Sequence, residues 1–180
     1  MTYDEIRDAS WKCLIQCKIN SLPVSLSQIC KHYGIKIVKN SDLQENRLLE
    51  NERAKTMKID NIPHIIVDDV NPMPIQRYSI AHEIGHILLG SGLSEYEAER
   101  FAIDILAPAC VIWELNLHTA EEISKLCNIS ITAAKNRAKR MEVLYARNKF
   151  LTSPLERQVY SQFIDFVNKN NDMGSGSHIK

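Results

Sequence analysis

The 180-residue chain has no run of 18 apolar residues, no excess of either charge, no even set of cysteines and no internal repeat. Each absence excludes something. Without a long apolar run there is no candidate membrane helix, and the polar, acidic opening MTYDEIRDAS does not read as a secretory leader. The expected address is the cytoplasm. Twenty-two basic residues cancel 22 acidic ones, so no global field draws the chain to nucleic acid or to an anionic membrane. Five irregularly spaced cysteines read as reduced thiols rather than a disulfide framework. Cys13 and Cys17 sit one helical turn apart with no second Cys or His pair close by, and core packing is expected of them.

What is present is enough apolar residue, 44% of the chain, to bury one core. YDEIRDASWKCLIQCKI carries a helical stripe, and SLSQICKHYG predicts a shorter helix from a Ser25 cap to a Gly34 stop. IKIV, AKTMKID and IPHIIVDD predict three strands, the charged stretch from Asn40 to Asn51 staying ambiguous. Pro72 and Pro74 precede a helix over about 75–89, ended by Gly90 and Gly92. SEYEAERFAIDILAP predicts a helix stopped near Pro108. TAEEISKLCNISITAAKNRAKRMEVL predicts two helices turning at Asn128, and SPLERQVYSQFIDFVNK a last one. The fold class expected is α+β, a small, mostly antiparallel sheet packed on the central helix and followed by a helical C-terminal bundle.

The central helix holds AHEIGHILLG. On a helix, positions i and i+4 share a face, so His82 and His86 aim two imidazoles at one point, as two ligands of a metal require. Glu83, about 100° away around the axis, cannot join them easily but reaches a water beside the metal, where a general base is needed. A catalytic zinc site ordinarily takes a third protein ligand and keeps a position open. The following helix offers Glu95, which shares a face with the small residues Ala98 and Ala102. Glu97 is its rival as ligand, and Glu99, one turn below Glu95, is a candidate to orient a histidine from behind. His118, Tyr78 and Tyr96 are candidate donors to an oxyanion, and His64 a candidate either for a substrate-lining position or for the plain surface.

QRYSIAHEIGHILLG followed by EYEAERFAIDILAP resembles the core of the ImmA/IrrE metallopeptidases. Arg77, Ser79, Ala81, His82, Glu83, Gly85 and His86 match the first helix of that family, and Glu95, Ala98, Phe101, Ala102 and Pro108 the second. Glu99 stands where Asn or Asp is usual and Tyr78 where Phe is usual, and the loop between the helices is short. The likeness extends loosely over residues 20–145. It implies a zinc-dependent endopeptidase of the gluzincin kind with one Zn²⁺ per chain. Such enzymes act inside bacterial cells, some on helix-turn-helix repressors of mobile elements or stress regulons. The division expected is a peptidase core over residues 1–115 with its N-terminal helices and a helix-turn-helix-like extension over 116–170, while the aperiodic end NNDMGSGSHIK predicts a disordered tail over 171–180.

Two other functions compete. The extension bears Lys135, Arg137, Lys139 and Arg140 on a second helix, the pattern of a DNA reader, although the neutral chain argues against direct DNA binding. A metal-binding regulator without turnover is the other, against which stands the intact Glu83.

Overall fold

The computed structural model of the chain describes residues 1–90, 92–148 and 150–175. Its fold is α+β. Helix α1 (Tyr3–Gln16) starts at Thr2, whose hydroxyl caps the Glu5 amide while the Glu5 carboxylate returns the bond to Thr2. Helix α2 (Leu26–Tyr33) runs from the Ser25 cap to Gly34, whose φ of 67° suits a residue without a Cβ. Cys13, Cys17 and Cys30 are buried in the core beside Ile6, Leu14 and Ile29.

Strand β1 (Lys36–Lys39), a short 3-10 turn over Asn40–Asp42, β2 (Ala54–Ile59) and β3 (Ile62–Val67) follow. The sheet order is β1-β3-β2. β2 and β3 form a hairpin in which Ala54 faces Val67 and Ile59 faces Ile62. Its two turn residues, Asp60 and Asn61, both take positive φ, the combination that matches strand twist in a two-residue loop. β1 instead pairs parallel to β3, from Lys36 beside His64 to Lys39 beside Val67. The sheet is therefore mixed, with one antiparallel and one parallel pair. The central position of β3 explains its composition: Ile65, Ile66 and Val67 are all buried. His64 is buried too, its Nδ1 2.9 Å from the Ile62 carbonyl, rather than lying at the surface.

Helix α3 (Met73–Leu89) packs on β2 and β3 and, most extensively, on α4 (Glu95–Leu106). Ala98, Phe101, Ala102 and Ile105 form the buried stripe of α4, spaced three and four apart as one helix face requires. Arg77 ties α3 outward: it donates to the Val24 carbonyl at 2.8 Å and to the Asn128 carbonyl at 3.2 Å. α4 ends at Leu106, and Pro108 then opens α5 (Ala109–Glu114), six residues over which the sequence pattern predicts no element. Cys110, Val111 and Ile112 in it are buried in succession, so it carries no amphipathic period to read.

Helices α6 (Ala120–Cys127) and α7 (Ile131–Arg147) turn at Asn128 as expected, and Asn128 makes the turn in the left-handed conformation. α8 (Pro154–Ser175) lays Val159, Phe163 and Val167 against the core. Residues 171–175, expected in the tail, continue this helix, and 176–180 lie outside the described residues. Among the described residues no helix is long and apolar enough to cross a membrane.

Candidate metal centre

Close approach of α3 and α4 builds the site. A Cβ placed on Gly85 would lie 3.0 Å from Cδ1 of Phe101 and 3.5 Å from its Cβ, so the absence of a side chain sets how near the two helices come. Ala98 and Ala102, fully buried, keep the facing surface low. Ser94 caps α4 and fixes where that helix begins, which puts Glu95 at its first position, above the histidines.

Three side chains converge there. Nε2 of His82 lies 3.1 Å from Nε2 of His86 and 3.1 Å from Oε2 of Glu95, and His86 Nε2 lies 3.4 Å from Oε1 of Glu95. The imidazole planes are inclined by 66° with centroids 4.8 Å apart. The histidines are mostly sheltered while the Glu95 side chain is 80% exposed, so the group sits at a mouth open to solvent. It is the one His/Cys/Asp/Glu group among the described residues with metal-ligand spacing. The donor set suits a zinc-like ion: ligand atoms held about 2.0–2.1 Å from a tetrahedral centre lie roughly 3.3–3.4 Å apart, close to the separations found.

Glu83 is half-buried at the same cleft, where the Thr56 hydroxyl of β2 donates to its Oε2 at 2.6 Å. The cleft has a volume of about 610 Å³, with Arg53, Lys55 and Thr56 on its strand side and His82, Glu83 and Glu95 opposite. β2 is an edge strand, paired only with β3 among the described residues.

The remaining candidates separate. Glu97 is occupied elsewhere. Its carboxylate accepts from the Ser94 amide at 2.8 Å and hydroxyl at 2.7 Å and pairs with the amino terminus, contacts that hold its pKa well below the carboxylate range. Glu99 lines the cleft but, among the described residues, bonds neither imidazole. Tyr78 lines the cleft, and burial pushes its phenol up to about 12, so it remains a proton donor throughout the neutral range. Tyr96 is 70% exposed and faces an adjoining hollow of about 570 Å³. His118 is remote from the cleft residues, on the loop before α6, bonded to Asn116 at 2.9 Å and packed on the ring of Tyr145. Of the basic residues on α7, Arg137 is buried against Asp104 at 2.6 Å and Arg140 bonds Tyr3, so half of the expected basic face is turned inward.

Thr56 was not anticipated. A polar β-branched residue on the strand before the His-Glu pair was its only trace in the sequence, and strand alternation alone does not say which helix it meets.

An α+β domain with a His-His-Glu group under a sheet edge has the layout of a metal-dependent hydrolase. Residues 30–139 match the family described as the IrrE N-terminal-like domain, and the chain belongs to that peptidase family. Its function is accordingly of the metallopeptidase type. The match leaves α1 and α8 outside it. No curated protein and no solved structure matches the chain significantly.

The Gly85 contact yields a first prediction. An alanine there gains helix propensity of at most about 1 kcal/mol but overpacks against Phe101 at a cost of about 1–3 kcal/mol. Gly85→Ala is expected to melt lower, by roughly 2–4 °C for each net kcal/mol. It should also take up metal more weakly than the wild type, since Glu95 rides on the displaced helix. Differential scanning calorimetry and a metal titration check both.

Proposed function

We propose that the chain is a zinc-dependent endopeptidase of the bacterial cytoplasm, acting on a regulatory protein such as a helix-turn-helix repressor. The observation that carries this reading is the convergence of His82, His86 and Glu95 at a cleft that Glu83 shares. In it, His82, His86 and Glu95 hold the ion, one per chain, and a bound divalent cation supplies Lewis acidity toward a peptide carbonyl and toward water.

The chain's own residues do the rest. Thr56 occupies Oε2 of Glu83 and leaves the second oxygen to take a proton from the attacking water and pass it to the departing amine. The free edge of β2 receives an extended substrate as an added strand, with backbone hydrogen bonds holding the peptide across the cleft. Tyr78 donates to the oxygen that gains negative charge. Tyr78→Phe is expected to lower kcat roughly tenfold with metal content unchanged, the worth of one hydrogen bond to a charged group.

The reading is tested by incubating the zinc-loaded chain with a candidate repressor and sequencing the new amino termini. A discrete cut that a chelator stops and added Zn²⁺ restores is the expected result. Cleavage that persists in chelator overturns the reading.

A further inference from the structure

Beside the metal cleft lies the hollow of about 570 Å³, walled by α3, α4 and the first turns of α7. Arg53, Tyr78 and Glu99 line both spaces, so a peptide crossing the metal site can place a side chain in the hollow without leaving the cleft. Three helices supply its apolar surface: Ile75 and Tyr78 from α3, Tyr96 and Ile103 from α4, and Ala133 from α7. The charged groups of the wall offer an occupant no net charge. Arg100 is engaged, its Nε donating to Asp104 at 2.9 Å and its Nη2 to the Tyr3 hydroxyl. Arg53 and Glu99 have opposite signs, and both stand where the hollow joins the cleft. The Ser130 hydroxyl caps α7, accepting from the Ala133 amide at 3.2 Å.

A charged side chain entering this space would give up water without gaining a counter-ion of its own, whereas an apolar one gains by leaving water. We propose that the hollow is the specificity pocket of the peptidase and takes one large apolar side chain, that of Phe, Leu or Met, from a substrate residue flanking the scissile bond. The inference rests on the peptidase reading and adds the class of residue that the site selects. At this volume none of the three is excluded by size, so selection comes from the apolar area buried and falls away for Ala and Gly. It also gives the helix-turn-helix-like extension a task. Thr132, Ala133 and Asn136 occupy the opening turns of α7, where a DNA reader would meet the bases, and here they wall a pocket on the peptidase core.

Two measurements on the zinc-loaded full chain test it, the first without turnover. N-acetyl-phenylalanine amide, which has no carboxylate to offer the metal, is expected to shift the backbone amide NMR signals of Ile103 and Ala133 saturably. The aspartate and lysine amides should bind at least about tenfold more weakly, and Ala133→Trp, which fills the hollow, should abolish the phenylalanine shifts. Asn136→Trp fills it from an exposed position on the same wall and replaces Ala133→Trp if that variant melts low. In the second, a randomised peptide library is digested and the new ends are sequenced. Phe, Leu and Met should be enriched at one position flanking the cut, with kcat/KM for Phe over Ala there at least about tenfold, a ratio that collapses in the Trp variant. No saturable binding of the phenylalanine amide at the hollow overturns the proposal whatever the library shows. So does a library cut without preference, a charged residue preferred at that position, or a preference that the Trp variants leave unaltered. A library left whole by a chain that binds the phenylalanine amide in the hollow supports the pocket and places the failure on the peptidase reading.

Discussion

Replacing Glu83 by Gln is expected to slow peptide hydrolysis by about two to four orders of magnitude while the chain keeps its metal. The substitution is nearly isosteric. An amide oxygen still accepts from the Thr56 hydroxyl, so the hydrogen bond at 2.6 Å and the side-chain position are retained. What disappears is the ability to hold a proton between its removal from water and its delivery to the amine. The histidines, at the neighbouring position and one turn on, are not touched. Two measurements on one preparation therefore decide the matter: metal content by elemental analysis, expected equal to wild type, and turnover on the identified substrate, expected close to background. A variant that cleaves at the wild-type rate removes Glu83 from the chemistry and takes the proposed mechanism with it.

The elements that the sequence announced are those whose ends carry local chemistry. Ser25, Ser94 and Thr119 each cap a helix through their own hydroxyl, and Gly34 and Asn128 end helices in the left-handed conformation. These are contacts within three or four residues, so composition records them directly. The parallel pairing of β1 with β3 is another kind of fact. It joins segments with a whole strand between them, and nothing in IKIV or IPHIIV states which edge the other takes. α5 escaped because its residues are buried on successive positions and leave no period.

The candidate site divides in the same way. His82 and His86 are placed by helical spacing alone, and their convergence follows from the 3.6-residue repeat. The difference between Glu95 and Glu97 also leaves a trace in the sequence. Ser94-Glu95-Tyr96-Glu97 is a capping-box pattern, which commits its last residue to the helix start; the structure shows that commitment, and it leaves Glu95 as the carboxylate beside the histidines. His118 could not be dismissed that way, because its position depends on how α5 turns the chain away.

Because Glu95 is 80% exposed and makes no contact that the core depends on, it permits the cleanest test of the metal cluster. Truncation of a buried ligand risks confusing lost metal with lost fold. Glu95→Ala does not, and its metal-free form is expected to melt at the wild-type temperature within a degree or so, as surface substitutions do. Its metal affinity is expected to fall by more than the roughly 10–100-fold that losing an outer partner of a ligand costs. Glu97→Ala and Glu99→Ala serve as internal controls. The first removes the reciprocal half of a helix cap and should lower the melting temperature without removing a ligand. The second alters the wall of the cleft and should leave stoichiometry at one ion per chain. If Glu99→Ala loses the ion and Glu95→Ala retains it, α4 supplies its ligand one turn further along than the Glu95 contacts place it.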